Sequence, residues 1–196
     1  MKSSKITYTI SLHFPQKVNE IIRSAVESIS DSTGNHFITE NKIPPHITIG
    51  AFHAAKDEES KLLQLVEDFA KKMEPGIIHF CETGNFNNKV LFLKPEKDDF
   101  LAKINADLHS ILLAKFEKAE NGYYLPEIWF PHTTLATRLN QSQFEKAKEI
   151  AGKIKLPLEA EISEISVYQC SPLEELKRLT IRQPLSGSFF QSQKAL

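Results

Sequence analysis

Hydrophobic and polar positions alternate along "ITYTISLHF": Ile6, Tyr8, Ile10, Leu12 and Phe14 fall on one side, Thr7, Thr9, Ser11 and His13 on the other. A period of two predicts a half-buried strand whose polar face meets water, and Pro15 ends it. The period then lengthens. Val18, Ile21, Ile22, Ala25, Val26 and Ile29 recur at helical spacing, and "DSTGN" closes that helix. Leu62, Leu65, Val66, Phe69 and Met73 predict a second helix, stopped by "EPG". The runs "IIHFCET" and "VLFLK" predict two strands joined through the turn-like "GNFNN". A third helix starts near Pro95, built on Phe100, Leu101, Ile104, Leu108, Ile111, Leu112 and Phe116, and fades at "AENG". Ser142 and Glu145 form a capping-box pattern ahead of Phe144, Ala147 and Ile150. "EISEISVYQ" and "LKRLTIRQ" close the series as strands, and "SQKAL" reads as a frayed tail.

Two short runs interrupt this reading with chemistry. "IPPHITIG" and "FPHTTLAT" each place a histidine just behind a proline and a threonine two residues on: His46 with Thr48 after Pro45, His132 with Thr134 after Pro131. Both occupy the same slot in a repeated order of helix, histidine strand, helix, strand, strand. The first pass ends near Lys94 and the second runs from Pro95 to Leu185. Two passes are too few for a solenoid. They suit one α+β domain spanning residues 1–196, made of a pseudo-symmetric pair of lobes, 1–94 and 95–196, packed tightly on each other.

Residues i and i+2 of a strand share a face. His46 and Thr48 therefore point one way while Ile47 and Ile49 point into a core, and His132 and Thr134 do the same opposite Thr133 and Leu135. If the pseudo-symmetry joins the two strands, two imidazoles and two hydroxyls surround one centre. Phosphodiester chemistry uses that set. Histidine titrates closest to neutrality, so one ring can act as general base and the other as general acid. The hydroxyls can hold non-bridging oxygens as charge develops, and the cationic imidazole offsets phosphate charge without a metal or other cofactor.

Composition narrows the substrate. The 196-residue chain is 41% hydrophobic and 25% charged, with a formal net charge of −1, and its pI is near 6.7. No basic field draws in duplex DNA, so the expected ligand is a small anionic nucleotide or an RNA end. No run is apolar enough to span a bilayer, and the N-terminus lacks a secretory pattern. Cys81 and Cys170 match no metal spacing and are expected to be buried, reduced thiols. A cytoplasmic monomer is the expectation.

The paired "PHITI" and "PHTTL" resemble the H-x-T-x signature of the two-histidine (2H) phosphoesterase superfamily, which includes 2′-5′ RNA ligase-like proteins and cyclic nucleotide phosphodiesterases. The resemblance extends to the chain length, the separation of the motifs, the opening strand "ITYTISLHFP" and the two-lobed order. It implies a bilobal, pseudo-two-fold α+β fold in which antiparallel sheets flanked by helices enclose a water-filled cleft. It implies hydrolysis, or in some members reversible ligation, of 2′-linked phosphodiesters. The family's catalytic histidines carry over onto His46 and His132, and its substrate-binding threonines onto Thr48 and Thr134. Many relatives place a basic residue directly after the "TLA" of the second motif; here Thr137 stands there and Arg138 follows it. By the period of two, Arg138 falls on the His132 face and is the candidate substrate contact.

Other side chains carry weaker signals. Trp129, Phe130, Tyr123 and Tyr124 suit core or rim packing, with base stacking as the alternative. Thr9, Ser11 and His13 suit solvent, with the border of the cleft as the alternative. Arg178 and Arg182 fit a solvated sheet face as well as phosphate steering. His36, His53, His79 and His109 lack the paired context and receive no role. Two other functions compete: a nucleotide- or RNA-binding module with little turnover, and a histidine metal site. H-x-T supplies one ligand per strand without a supporting carboxylate or cysteine, which disfavours the metal site.

Overall fold

The computed structural model describes residues 5–97 and 99–181. Arg182, "SQKAL" and the end of the last expected strand lie outside these residues. The alternating start becomes β1 (Lys5–His13), and the helix after Pro15 becomes α1 (Gln16–Thr33). Gly34 ends α1 at φ 66°, donating its N–H to the Ser30 carbonyl; only glycine takes that backbone without strain. A single turn, α2 (Phe37–Glu40), leads to the first histidine strand, β2 (Ile47–Ala55). Then come α3 (Glu59–Ala70), β3 (Gly76–Phe86) and β4 (Val90–Pro95). Asn87 and Asn88 turn the β3–β4 hairpin at φ 50° and 55°, a conformation asparagine tolerates. The third long helix, α4 (Asp99–Leu112), stops short of Phe116, and a two-residue strand, β5 (Glu117–Lys118), follows it. The second histidine strand is β6 (Thr133–Ala136).

α5 (Gln141–Ala151) begins two residues earlier than its sequence pattern suggests. Asn140, not Ser142, is the cap: its side chain accepts from the Gln143 N–H while the Gln143 side chain accepts from the Asn140 N–H. The run "EISEISVYQ" is not one strand. It breaks at Ser163 into β7 (Leu158–Ile162) and β8 (Glu164–Cys170), which belong to different sheets, and β9 (Leu173–Thr180) completes the order.

Two antiparallel sheets form two lobes. One runs β5-β2-β1-β8-β9, the other β6-β4-β3-β7. α3 and α4 back the first, α1 and α5 the second, and the apolar stripes of these helices fill the core with residues such as Ile22, Leu62, Leu108 and Ala147. Each sheet takes strands from both halves of the chain. β3 and β4 join the sheet of His132, while β8 and β9 join that of His46, so the spatial lobes do not divide at residue 94. Free Cys81 is exposed, occupying the irregularity between Phe80 and Glu82 in the β3–β4 register, and Cys170 is half-buried; neither is the fully buried thiol expected from its apolar neighbours. Among the described residues no helix is long and apolar enough to cross a membrane.

Candidate active site

Both motif histidines sit at the mouth of their strands and are held alike. His46 Nδ1–H donates to the Pro44 carbonyl at 2.8 Å, and His132 Nδ1–H donates to the Phe130 carbonyl at 2.8 Å. Each bond goes two residues back, to a carbonyl in a proline-bearing segment ahead of the strand. Each fixes the ring tautomer and leaves Nε2 to the cleft. Ile47, Ile49, Thr133 and Leu135 are buried, while Thr48 and Thr134 are half-exposed, the alternation that the period of two requires. Burial lowers the pKa of both histidines from the ordinary 6.5, and positive charge on His132 and on Arg178 lowers His46 further. The charge of a protonated His132 thus acts on His46.

Strand register sets what stands beside each motif. A bulge between Ile10 and Ser11 resets the β1–β2 ladder so that Ser11 pairs with Thr48 and Leu12 with Ile47. One step on, His13 comes beside His46, ring centroids 6.1 Å apart. Without the bulge every side chain would fall opposite the wrong neighbour. Ser11 Oγ is 3.4 Å from Thr48 Oγ1, and the Tyr124 hydroxyl also bonds Thr48. The same face continues through Ser166, Tyr168, Glu175 and Arg178 on β8 and β9. With Thr9, Ser11 and His46, the last three border a cavity of about 390 Å³. A larger groove of about 750 Å³ lies between α1 and α5, but no histidine lines it.

The other wall is aromatic. Phe92 pairs with Thr134 on β4–β6. Phe86 meets the His132 ring edge-on at 5.2 Å and Phe92 meets it at 5.1 Å, and Phe130 packs on both phenylalanines. Phe86 and Phe130 stay 39% and 40% exposed, so this cluster has a face free for a ligand. Lys94 Nζ lies 5.7 Å from the Phe130 ring and is paired with Glu82.

Three expectations change. Thr9, Ser11 and His13 do not face solvent: Ser11 and His13 are 1% and 0% exposed, because β8 covers β1 on its other edge and the polar face turns into the cleft wall. Arg138 does not extend the His132 face. β6 ends at Ala136, Arg138 takes φ 59°, and its guanidinium stacks 3.8 Å from the Phe37 ring centre. Arg178 gives its Nε–H and an Nη2–H to Glu175, an Nη1–H to Glu164 and a second Nη2–H to Tyr168, which leaves little of it for a phosphate. Trp129 is an anchor, donating Nε1–H to the Thr48 carbonyl at 3.0 Å. Of the unassigned histidines, His36 bonds Ser30, His53 bonds Thr7, His79 pairs with Glu96, and His109 donates to the Asn105 carbonyl. Among the described residues no group of three or more His, Cys, Asp or Glu side chains is arranged to hold a metal ion.

Comparison with known proteins fits this architecture. The sequence model of the 2′-5′ RNA ligase superfamily matches residues 18–171. No curated protein matches the chain. Among solved structures, TT0787 of Thermus thermophilus superposes with a TM-score of 0.59 at 18% identity, covering 91% of this chain and 99% of that one. LigT of E. coli, in complex with NADP+, gives 0.58 at 18% identity over 92% of this chain and 100% of its own. A protein described as a phosphoesterase gives 0.58 at 14% identity over 92% and 100%.

Proposed function

The chain belongs to the 2′-5′ RNA ligase superfamily, and from that premise we propose that it is a phosphoesterase acting on 2′,3′-cyclic phosphates or 2′-5′ phosphodiesters of RNA-derived nucleotides. One observation supports the reading: two imidazoles are anchored alike by Nδ1–H to a carbonyl two residues back, each with a threonine two residues on, and the charge of His132 acts on His46. LigT of E. coli has been solved with 3′-AMP, phosphate, NADP+ and ATP, which supports a phosphate-bearing nucleotide as the ligand class here.

The steps follow from proton affinity. Arg178 and His132 both disfavour protonation of His46, so His46 is the neutral base and His132 holds the proton. His46 Nε2 takes a proton from water as its oxygen bonds to phosphorus. The bond from phosphorus to the ribose oxygen breaks, and His132 gives that oxygen its proton. Thr48 and Thr134 donate to the non-bridging oxygens, where charge grows. A ribose hydroxyl in place of water turns the same steps into ligation. The imidazolium offsets the phosphate charge, so the reaction proceeds in EDTA.

The test is incubation with nucleoside 2′,3′-cyclic phosphates and 2′-5′ dinucleotides in EDTA. A single monophosphate isomer from the cyclic substrate, lost when His46 and His132 are both replaced by alanine, is the expected result. Calorimetric nucleotide binding with no product over hours would instead make the chain a binding module.

A further inference from the structure

We propose that His13 is a positioning residue for His46, a buried imidazole that clamps the backbone from which the reacting ring hangs. The proposal rests on the reading of His46 given above. His13 is 0% exposed and fully bonded: its Nδ1–H donates to the Pro45 carbonyl at 3.2 Å, and the Ser166 hydroxyl donates to its Nε2 at 2.6 Å. Pro45 is the residue immediately before His46, and Pro44 accepts the His46 Nδ1–H. The two histidines therefore grip adjacent carbonyls of one diproline segment, His46 from the cleft and His13 from the sheet. That segment precedes the first ladder residue of β2, Ile47, and prolines have no N–H to donate to a sheet. A contact through the Pro45 carbonyl is thus how β1 can hold it.

The arrangement is not an ordinary satisfied core histidine. β1 spends two alternate cleft-face positions on the motif: Ser11 against Thr48 and His13 against the Pro45–His46 backbone. The bulge after Ile10 is what brings both into place. The corresponding strand of the second sheet, β4, puts Phe92 beside Thr134 and backs His132 with aromatic rings instead. The groups facing His13 are His46, Tyr168, Glu175 and Arg178. Burial and the cations of Arg178 and His46 push the His13 pKa down to about 3. It stays neutral, keeps one donor and one acceptor, and adds no positive charge beside the base.

Three variants test this. His13→Leu removes both hydrogen bonds, His13→Gln restores one amide donor and one acceptor, and Ser166→Ala removes only the partner of Nε2. In the proposal His13→Leu lowers kcat about 10²-fold, the scale of a misplacement near 1 Å, with KM within about twofold, and His13→Gln recovers most of the loss. Ser166→Ala falls between wild type and His13→Leu. The limb of the kcat/KM profile belonging to His46 moves and that of His132 does not. A folded His13→Leu protein with wild-type kcat, or a His13→Gln protein no faster than His13→Leu, overturns the proposal. If His13→Leu does not fold, wild-type kcat in Ser166→Ala overturns it. Imidazole NMR separates this from the function itself: the ring signals of His46, but not of His132, broaden in His13→Leu or Ser166→Ala even if no substrate is turned over. Unchanged His46 signals in both variants would refute positioning whether or not the enzyme assay succeeds.

Discussion

On one wall of the cleft, Ser11 and His13 stand beside Thr48 and His46; on the other, Phe92 and the aromatic pair Phe86 and Phe130 crowd Thr134 and His132. Both walls use the same plan: a proline segment, a histidine tied two residues back, and a strand that alternates core and cleft. The difference lies in the neighbouring strand. β1 offers hydroxyls and an imidazole, and β8 and β9 extend them with Tyr168, Glu175 and Arg178. β4 offers a phenyl ring that lies over Gly84, where a Cβ would come within 2.4 Å of Phe92. A polar wall and an aromatic wall suit the two ends of a nucleotide, hydroxylated sugar and flat base. They also make the two rings unequal as acids, because Arg178 acts on one of them.

The sharpest way to break this contrast is to remove each ring in turn. His46→Ala and His132→Ala should each lower kcat by about 10²- to 10⁴-fold, with the acidic limb of the pH profile lost in the first and the alkaline limb in the second. Loss of the same limb in both would dissolve the division of labour.

Next come the hydroxyls. Thr134→Val should slow turnover by about 10²-fold. Thr48→Val should cost less, because Ser11 and Tyr124 bring hydroxyls to the same spot. Equal losses would mean that those neighbours do not reach the phosphate.

Phe130→Ala should raise KM for a nucleoside 2′,3′-cyclic phosphate about tenfold, the scale of one base stacked on a ring. It should leave KM for a baseless ribose 2′,3′-cyclic phosphate unchanged. An equal rise for both substrates would place the base elsewhere.

Proton binding sharpens the contrast further. Both histidines are lowered from 6.5, so kcat/KM should peak below about pH 6.5, with His46 titrating below His132 by NMR. Stability responds to His13. Its folded pKa of about 3 lies under the unfolded value, so the unfolded chain binds the extra proton between the two. Stability conferred by the neutral ring is complete above about pH 6.5 and declines on acidification toward pH 3, by roughly 1.4 kcal/mol per pH unit inside that window. Urea titrations of wild type and His13→Gln at several pH values measure the difference; parallel curves would count against a buried neutral imidazole.

The smallest effect is expected of Arg138→Ala. Its guanidinium is engaged with Phe37, so kcat should stay within about twofold while stability drops by about 0.5–1 kcal/mol. A large loss of activity would return Arg138 to the cleft.

How much of the fold and site is legible in the sequence follows from which interactions are local. β1, α1 and the two H-x-T strands follow from period and punctuation, which are properties of neighbouring residues. The polar face of β1 misleads because exposure depends on what pairs at its far edge, and Ser11 and His13 are covered by β8, from the distant C-terminal part of the chain. In "EISEISVYQ" the spacing from Ile162 to Ile165 is three rather than two, a slip in phase at Ser163–Glu164 that marks the passage from one sheet to the other and that a single-strand reading passes over. Arg138 misleads because the alternation that would place it in the cleft stops with β6 at Ala136. Ser11 and His13 can be found by pairing β1 with β2 on paper, but the bulge that fixes their partners leaves no mark in the sequence.

The exchange of strands between the sheets reaches beyond the site. During synthesis, the N-terminal half emerges carrying β3 and β4 without β6 or β7 to cover them, and β1 without β8. Neither sheet can close until the C-terminal strands β7, β8 and β9 arrive, so the chain should gain its protease resistance late and in one step rather than lobe by lobe. For the same reason, two separately made fragments cut after Pro95 should each remain unfolded alone and regain a single native particle on mixing.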